Sequence, residues 1–598
     1  MQKQVLKNAT KHILIFLAIA IVTVLLLTYK KEEFQVRGMT LVKYNGTATD
    51  VTIPPGIIEI GRLAFQDCDS IVKITIPDGV KYIREGAFAN CSNLKTVSIP
   101  QSVETIEARA FACDFKLKKV SLPDKLKVLN NEVFYACEAL QEIELGPNIE
   151  ELGNYVFYQC KSLKKIVIPR KVKSMGDSVF SGCENLSLIT LPPRDFEMGI
   201  NVFANCKSLK KITLPQNMKY INTGTFWNCI SLESVDIPKH ITSIGDRAFY
   251  RCSSLRTITF PEEITYIGSE AFYKCENLIN ITLPRISESK EGSKQGEVIP
   301  NCRIGADCFA GCIKLDNVYI PEHVKISSTA FFGCSSLKNV EVAPEHPRYK
   351  VIDGVLYSRN TYQLILYPCG LEQKSFIIPD SVRRIKEKAF SGNSHVQFVT
   401  AGSKLKAIET GAFLGCERLE DIQLNEKLED ISSEAFEGCS SLRQLFIPEK
   451  CNLDISALYD CPSLEEVTVD SDNDSYQSVD GVLFDSAYQT LLLYPASKGG
   501  EYYNVPKTVT TISEYAFAGN EQLSELKLPD GVCQIERRAF AKCTNLQKVT
   551  MTDSVEIMAS EIFYGIEDKV SLTIKAKTEK CIPIIYAENV GVRYKWIK

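Results

Sequence analysis

The chain has few of the residues on which most enzyme chemistry depends. Its 598 residues include only five histidines and two tryptophans, so imidazole is scarce as a general base or metal ligand. No nucleophile elbow, phosphate-binding loop or H-E-x-x-H motif occurs. Tyr and Ser hydroxyls are weak nucleophiles without a neighbouring base. We therefore expect a protein that is not an enzyme, with no catalytic residue and no cofactor.

A strong charge of one sign is also missing. The 69 Lys and Arg residues nearly balance the 73 Asp and Glu residues, which leaves a formal net charge of -4. A chain without an excess of cations has no overall field that gathers phosphates, so we expect no nucleic-acid partner. With 45% apolar residues, and with only 33 Gly and 25 Pro, the composition excludes disorder and collagen. It is that of an ordinary folded protein.

Long apolar runs are absent except near the N-terminus. Residues 13–27 are apolar apart from Thr23, and lysines flank them on both sides. A helix between Lys11 and Lys30 would be about 27 Å long, enough to cross a thin bilayer. No small-residue cleavage site follows, and the leading cations favour the cytoplasm. We predict an uncleaved signal-anchor that leaves the remaining chain outside the cell; secretion after signal-peptide cleavage is the alternative.

Phenylalanine recurs along the chain with a fixed period of 23 residues. The repeating unit is a Cys, a Leu three residues later, an I/V-x-I-Pro segment and an Ala-Phe pair, as in CSNLKTVSIPQSVETIEARAF. Such self-similarity is the signature of a repeat architecture. The first ten anchors are Phe65, Phe88, Phe111, Phe134, Phe157, Phe180, Phe203, Phe226, Phe249 and Phe272, and the later ones are Phe309, Phe331, Phe390, Phe413, Phe436, Leu458, Phe517, Phe540 and Phe563.

The repeat predicts a solenoid of the α/β-type leucine-rich-repeat class. The alternation in L-x-x-I-x-I is typical of a strand of about five residues, which the following Pro ends because it lacks an amide donor. The Ala-Phe segment predicts a short helical turn. Each unit has one apolar side, which only stacking on its neighbours can bury. We expect a parallel β-sheet on the concave face and short helical turns and loops on the convex face.

Two departures from the period are copies of one insert. The segments VIDGVLYSRNTYQLILYP (351–368) and SVDGVLFDSAYQTLLLYP (478–495) match along their length, and each lengthens one interval between anchors by the same amount. Each contains two apolar segments around a polar turn, which predicts a β-hairpin. We therefore expect two β-hairpin cassettes within a duplicated block of the chain.

These features divide the chain into ten segments. The segment at 285–300 is polar, charged and rich in Ser and Gly, which predicts an exposed mobile loop. The predicted segments are 1–35 (cytoplasmic stub and signal-anchor), 36–64 (N-terminal cap and first coil), 65–284 (regular repeats), 285–300 (mobile loop), 301–342 (repeats), 343–379 (first cassette), 380–469 (repeats), 470–506 (second cassette), 507–575 (repeats) and 576–598 (C-terminal cap).

The C-x-x-L-x-x-I-x-I-P…I-G-x-x-A-F unit resembles that of the BspA-type leucine-rich repeat surface proteins of bacteria and some parasitic protists. The resemblance covers about 41–594, including the DGVL cassettes and an AENVGVRY ending that looks like the closing cap of the family. It implies a surface-exposed binding protein, with some relatives acting in adhesion, and carries over no catalytic residue. The departures are Asp114, Asn393 and Asn520 at the Cys position and Leu458 at the Phe position.

The 22 cysteines form a second periodic feature, because 15 of them lie three residues after an anchor. Every such cysteine has an equivalent neighbour above and below, and nothing selects pairs. Cys is also a small residue that is often buried, so we favour reduced structural thiols. An oxidising exterior would favour disulfides instead. The more reactive thiols are expected off this ladder, at Cys113, Cys302, Cys308, Cys369, Cys451, Cys533 and Cys581.

Two sets of residues could be mistaken for metal ligands, but neither has the spacing of a known metal site. We therefore predict no metal site. Cys302, Cys308, Cys312 and His323 lack the paired C-x-x-C spacing of a zinc site. The D-x-D-x-D segment that starts at Asp470 resembles the beginning of a calcium loop, but it lacks the glycine and the closing glutamate of such loops.

The solvent-facing strand positions carry charges whose sign changes along the chain. Two interpretations stay open: solvated charges that keep a long sheet soluble, and a bipolar surface that orients an extended partner. The candidate binding residues of the basic arc are Lys73, Lys95, Lys118, Lys119, Lys164, Lys165, Lys210, Lys211 and Arg256, and those of the acidic arc are Asp316, Glu341, Glu420, Asp421, Glu465, Glu466 and Glu525.

Taken together, these patterns favour a membrane-anchored cell-surface protein of binding or adhesion function. Its expected partner is an extracellular protein or glycoprotein that binds along the solenoid surface, and its contact with the membrane is the N-terminal helix. Two other functions stay open: a non-adhesive scaffold of the cell envelope, and a surface-polymer hydrolase with a pair of carboxylates. The repeats argue against the hydrolase because catalysis needs one singular site.

Overall fold

The computed structural model describes residues 32–194, 196–284 and 302–598. The chain forms two compact units that divide between Pro215 and Gln216. This division falls inside the regular repeats, where the sequence pattern gives no sign of it. The predicted signal-anchor and the predicted loop at 285–300 lie outside the described residues.

Each coil contributes two strands, so each unit contains two parallel ladders. The first ladder is built from the I-x-I segments: Lys165–Val167 pairs in parallel with Leu188–Thr190, with Ile166 opposite Ile189. The second ladder, which was not among the predicted elements, is built from strands of two or three residues just before each Ala-Phe turn. An example is Ser174–Met175, which pairs with Glu151–Leu152. The parallel-stranded solenoid is confirmed.

The first unit contains both ladders and an N-terminal hairpin. Its first-ladder strands are Asp50–Thr52, Lys73–Thr75, Thr96–Ser98, Lys119–Ser121, Glu142–Glu144, Lys165–Val167, Leu188–Thr190 and Lys211–Ile212. The hairpin and the second ladder comprise Phe34–Arg37, Thr40–Tyr44, Glu59–Ile60, Tyr82–Ile83, Thr105–Ile106, Val128–Leu129, Glu151–Leu152, Ser174–Met175 and Glu197–Met198.

The second unit repeats this arrangement and adds the cassettes. Its first-ladder strands are Ser234–Val235, Thr257–Thr259, Asn280–Thr282, Asn317–Ile320, Asn339–Val342, Ser375–Ile377, Phe398–Thr400, Asp421–Gln423, Gln444–Ile447, Glu466–Val469, Tyr502–Asn504, Glu525–Lys527, Lys548–Thr552, Ser571–Lys575 and Arg593–Ile597. Its second-ladder strands are Tyr220–Ile221, Ser243–Ile244, Tyr266–Ile267, Cys302–Ile304, Val324–Ile326, Arg384–Ile385, Ala407–Ile408, Asp430–Ile431, Asn452–Leu453, Thr511–Ile512, Gln534–Ile535 and Ile557–Met558.

Most first-ladder strands have three residues rather than the predicted five. In the coil of Lys165–Val167, the amide of Leu163 donates to the carbonyl of Cys160 at 3.1 Å. The leucine of the repeat therefore closes a turn and stands outside the strand. At the other end Pro169 has no amide to donate, so only the residues between these two limits join the ladder.

The predicted short turns at the Ala-Phe pairs are present as single hydrogen-bonded turns and do not extend into helices. In the coil of Phe111, the amide of Phe111 donates to the carbonyl of Val133 in the next coil at 3.0 Å. The same bond joins Phe88 to Ala110 at 2.8 Å. The phenylalanine amides thus bond to the next coil, while i→i+3 bonds such as that from the amide of Ala112 to the carbonyl of Arg109, at 3.0 Å, close the turns. The described helices are the 3₁₀-helix Ile455–Leu458 and the α-helix Ile582–Val590.

The anchor phenylalanines stack along the core of each unit. In the first unit, from Phe65 to Phe203, neighbouring ring centroids lie 4.9 to 5.8 Å apart. These side chains have no exposed surface, as Phe180 illustrates at 0%. Offset stacking of this kind adds to the free energy of burying the rings. The Phe period that defines the repeat is therefore the core of the fold.

Each cassette contains three antiparallel strands, one more than the predicted hairpin. The strands of the first cassette are Tyr349–Ile352, Val355–Ser358 and Gln363–Leu366, and those of the second are Tyr476–Val479, Val482–Asp485 and Thr490–Leu493. The last strand of each cassette then pairs in parallel with the next second-ladder strand. A cassette therefore starts a new second ladder within the second unit.

Two tyrosines continue the stack of anchors inside the cassettes. Tyr367 lies one repeat period before Phe390, and their ring centroids are 4.5 Å apart. Tyr494 stands in the same relation to Phe517, at 5.0 Å. Both tyrosines are buried. The two long intervals between anchors thus each contain one further anchor, which the period of phenylalanine alone does not reveal.

Both ends of the described chain are covered. At the start, the antiparallel hairpin places Tyr44 against Phe65 at 5.1 Å. At the end, the α-helix Ile582–Val590 packs Tyr586 against Phe563 at 6.3 Å. The helix stops at Gly591, whose φ of 77° is the left-handed conformation that glycine favours. The strand Arg593–Ile597 then pairs with Ser571–Lys575.

Candidate binding surface

The lysines of the first unit form two neighbouring rows on its first ladder. Strand pairing aligns Lys73 with Thr96, Thr96 with Lys119, and Lys119 with Glu142. The residues immediately before them form the second row, where the amide of Lys118 donates to the carbonyl of Lys95 at 3.1 Å. We call the following residues the lysine rows: Lys73, Lys95, Lys118, Lys119, Lys164, Lys165, Lys210 and Lys211.

All of the lysine rows are exposed, but few of their ammonium groups are paired. Lys73 lies 3.2 Å from Asp50, and Lys119 lies 3.3 Å from Glu142. Within the described part of the first unit, the ammonium groups of Lys95, Lys118, Lys164, Lys165 and Lys211 have no carboxylate within ion-pair distance. Neighbouring strands are only about 4.8 Å apart, so these lysines concentrate positive charge on one face of the unit.

Two apolar side chains lie among these lysines and were not among the predicted binding residues. Leu188 is opposite Lys165 in the ladder and is 60% exposed, and Val167 on the same strand as Lys165 is 66% exposed. Single exposed apolar side chains are normal on a soluble surface, whereas contiguous ones mark contact sites; these two lie on paired strands. A signal was present in the sequence, because both residues stand at positions that are otherwise mostly polar in the L-x-x-I-x-I pattern.

The remaining candidate residues lie on the second unit. Arg256 is exposed and directly precedes the strand Thr257–Thr259. Asp316, Glu341, Glu465 and Glu466 are exposed, whereas Glu420, Asp421 and Glu525 are half-buried. Glu525 is also paired with Lys548 at 2.6 Å. The acidic residues are therefore less uniformly accessible than the lysine rows.

The second cassette lies directly against part of the acidic arc. The amide of Val467 donates to the carbonyl of Gly481 at 3.0 Å. A side chain at Gly481 would come within 2.7 Å of the Cβ atom of Glu466. The turn of this cassette therefore packs on the strand Glu466–Val469, next to two acidic candidates. The acidic arc is not one continuous row, because this insert interrupts it.

The cysteine ladder has a structural role. All 22 cysteines lie in the described part of the chain, and none of them forms a disulfide. The Cys183 thiol donates to the carbonyl of Phe157 in the preceding coil at 3.2 Å, and the Cys416 thiol donates in the same way to Phe390 at 3.2 Å. Burial raises the pKa of both thiols. A protonated donor at this position satisfies a buried carbonyl, which explains the preference for Cys.

The prediction of reactive thiols off the ladder is wrong for four residues. Cys302, Cys308, Cys369 and Cys451 are buried, and burial raises the pKa of each thiol. A buried thiol with a raised pKa supplies little thiolate, which is the reactive form. The other three off-ladder residues, Cys113, Cys533 and Cys581, are half-buried and accessible in part.

The potential metal ligands are engaged in the fold. The Cys312 thiol donates to the carbonyl of Phe272 at 3.3 Å as a member of the ladder. The Asp470 carboxylate accepts the amide of Asp472 at 3.0 Å within a tight turn. Over the residues that the structure describes, no three His, Cys, Asp or Glu side chains converge in a way that could hold a metal ion.

The structure gives no membrane-spanning helix within the ranges that it describes. The predicted signal-anchor at 13–27 lies outside those ranges, so it stays a prediction.

Comparison with known proteins identifies the repeat. The family model of the BspA-type leucine-rich repeat region matches in six copies, at residues 43–137, 104–230, 189–293, 302–352, 365–485 and 497–583. No curated protein matches the chain.

Several solved structures are similar to this chain. A leucine-rich repeat protein from Bacteroides ovatus is 26% identical, over 74% of this chain and 97% of that one, with a TM-score of 0.44. The pneumococcal vaccine antigen PcpA is 18% identical, over 73% and 89%, with a TM-score of 0.38. A leucine-rich cell-surface protein from Faecalibacterium prausnitzii is 22% identical, over 89% and 94%, with a TM-score of 0.32.

Proposed function

The chain belongs to the BspA-type leucine-rich repeat family, and we propose that it is a cell-surface binding or adhesion protein whose lysine rows recognise a protein or glycoprotein partner. Members of this family are typically cell-surface proteins. The predicted signal-anchor at 13–27 would hold the chain there, with the repeats outside the cell. In this proposal the repeats bind a partner and catalyse no reaction.

The observation that carries this proposal is the set of unpaired ammonium groups on one face of the first unit. Lys95, Lys118, Lys164 and Lys165 are exposed and have no carboxylate partner among the described residues of that unit. Like charges on adjacent strands destabilise a sheet. A set of charges that the fold itself does not neutralise favours recognition of an oppositely charged partner.

The lysine rows also indicate the chemistry of the partner. Because the rows cross several strands, the complementary ligand is an extended segment with acidic groups at repeated intervals. Leu188 and Val167 add exposed apolar surface beside Lys165. Interfaces combine such apolar contacts with a charged rim. We therefore propose an acidic protein segment with apolar side chains, or an acidic glycoprotein, as the partner.

A non-adhesive scaffold of the cell envelope is the second candidate, since the charges on a long sheet also keep it soluble and unpaired. A scaffold would co-fractionate with wall polymer or with neighbouring envelope proteins. A hydrolase would instead show turnover that substitution of a carboxylate pair abolishes. These outcomes distinguish the three functions.

The proposal is tested by capture with the purified full-length chain. Extracellular-matrix proteins, plasma proteins and microbial surface extracts are each offered at low and at high salt. The proposal predicts saturable binding of an acidic partner that weakens at high salt, because salt screens exposed charges. Recovery of wall polymer alone, with no salt dependence, would support the scaffold instead.

A further inference from the structure

A cavity of about 430 Å³ lies beside the second cassette, in the second unit. Ligand pockets in proteins are typically about 300 to 1,000 Å³. Its apolar part contains Leu458, Leu464 and Leu493, and its rim carries Tyr459, Tyr515 and Tyr564. Leu458 stands where other coils have the anchor phenylalanine, and a smaller side chain at a core position leaves space.

The lining of the cavity contains two carboxylates without a partner. Neither Glu437 nor Asp460 makes a side-chain hydrogen bond or ion pair to any residue that the structure describes. Burial raises the pKa of Glu437, and Glu434 and Asp460 add to the effect. Burial also raises the pKa of Tyr459 to about 12, with a contribution from Glu514. The surroundings are therefore rich in negative charge.

Two cations also line the cavity, but one of them is already neutralised. Arg538 donates from Nε to Glu561 at 2.7 Å and from Nη1 to the hydroxyl of Tyr515 at 2.8 Å. Lys542 is exposed. Against them stand Glu437 and Asp460, so the free charge of the lining is not positive.

The first copy of the duplicated block has a lysine at the corresponding place. At the position of Tyr515 the first copy has Lys388, whose ammonium lies 4.2 Å from the ring centroid of Phe332. The same ammonium lies 3.6 Å from Asp307. Phe332 is the counterpart of Tyr459 when the two copies are aligned on their DGVL segments. The first copy thus places its own lysine against the aromatic ring and an acidic residue.

The second copy has lost that lysine and gained charged side chains of both signs. Tyr515 replaces Lys388 and packs against Tyr459 at 4.7 Å. Glu437 stands where the first copy has alanine, and Asp460 stands where it has glycine. Arg538 and Lys542 stand where the first copy has glycine, and Arg538 lies over the rings of Tyr515 and Tyr564, at 5.9 and 4.9 Å. The two added carboxylates are left without a partner among the described residues.

We propose that this cavity binds a lysine side chain of another polypeptide, whose ammonium pairs with Glu437 and Asp460 while its methylenes pack on Leu458 and the tyrosine rings. An ammonium near a tyrosine face also gains a cation–π interaction. The site is separate from the lysine rows and does not depend on the proposed adhesive function. The chain would then have two binding sites: the lysine rows for acidic groups and this cavity for a cationic group.

The test is calorimetric titration of the full-length chain with Nα-acetyl-lysine amide and with Nα-acetyl-norleucine amide. The two probes share the aliphatic stem, and only the first carries the ammonium. We expect the lysine probe to bind at least tenfold more tightly than the norleucine probe. Equal binding of the two probes, or no binding of the lysine probe, would overturn the proposal.

Three variants locate the site. Glu437→Gln with Asp460→Asn removes the carboxylates with little change of shape, and we expect at least a tenfold loss of affinity for the lysine probe. Tyr515→Lys restores the internal cation of the first copy and should block the site. The control, Glu426→Gln with Asp530→Asn, makes the same charge change away from the cavity lining and should bind normally. An equal loss in the control would contradict the assignment.

Discussion

The hydroxyl of Tyr349 bonds to both backbone polar groups of Ile326. It accepts the amide of Ile326 at 3.1 Å and donates to the carbonyl of the same residue at 3.2 Å. Ile326 ends the second-ladder strand that lies before the first cassette. In the second cassette Tyr476 makes the same two bonds to Leu453, at 3.3 and 2.9 Å. A tyrosine side chain thus completes a strand edge that has lost its neighbouring strand.

We predict that Tyr349→Phe lowers the free energy of unfolding by about 1 to 3 kcal/mol, because it leaves a buried amide and carbonyl without partners. Tyr476→Phe should have a similar effect. Chemical denaturation measures both. Tyr362→Phe is the control, because Tyr362 is 42% exposed and its hydroxyl has no such partners among the described residues. If all three variants were equally stable, the hydroxyl would not complete the strand edge.

The Phe stack yields a prediction on the core. Phe180 is fully buried between Phe157 at 5.4 Å and Phe203 at 5.8 Å. Phe180→Ala should therefore lower the free energy of unfolding by about 3 to 5 kcal/mol. Phe115→Ala, at a residue that is 43% exposed, should change it far less. Thermal and chemical unfolding of the two variants would show the contrast, and equal losses would contradict it.

Asp114 interrupts the cysteine ladder with a carboxyl group. It is buried, and its Oδ2 atom has no hydrogen-bond partner among the described residues. Burial raises the pKa of this carboxyl well above its ordinary value. Because the folded state then binds the proton more tightly than the unfolded state does, protonation stabilises the fold. This stabilisation is complete below the ordinary pKa of about 4. That stabilisation is lost as the pH rises through the folded-state pKa.

We predict that Asp114→Asn is more stable than the native chain by about 1 to 3 kcal/mol at neutral pH. The difference should shrink as the pH falls toward about 4, where the native carboxyl is protonated. Denaturation between these pH values measures it. Asp124→Asn, at an exposed site, should show no such trend. A pH-independent gain for Asp114→Asn would show that ionisation is not the cause.

Thiol accessibility gives a chemical test of the fold. Under native conditions iodoacetamide should label Cys68, Cys113, Cys533 and Cys581, which are half-buried, and spare the buried cysteines. Mass spectrometry after brief labelling reads this pattern directly. Denatured protein, in which all 22 thiols react, is the control. Labelling of Cys183 or Cys416 under native conditions would contradict the buried ladder.

The repeat sequence was sufficient to predict the coil and its core. The regular spacing of phenylalanine requires one equivalent buried position in each coil, so the stack through Phe180 followed from the period. The second ladder did not follow, because a two-residue strand such as Ser174–Met175 is too short for an alternating pattern. Its strands are defined only by bonds between coils, which a single repeat does not display.

The cassettes and the surfaces were predicted in part. The duplicated segments indicated hairpins, but the role of Tyr367 as an anchor was hidden because a phenolic ring replaces phenyl in the period. The lysine rows followed from the alternation of the strands. The contact of Gly481 with Glu466 and the cavity beside Leu458 depend on how a cassette packs on neighbouring coils. Packing between residues that are distant in the chain gives no periodic pattern in the sequence.

The central claim is that the lysine rows are an adhesive surface, and one affinity comparison tests it. The captured partner is titrated against the native full-length chain, the variant Lys164→Glu with Lys165→Glu, and a control of the same charge change, Lys127→Glu with Lys171→Glu. The control residues are exposed but lie outside the lysine rows. We predict at least a tenfold loss of affinity, about 1.4 kcal/mol, for the first variant alone. Equal affinity of all three proteins would contradict the account.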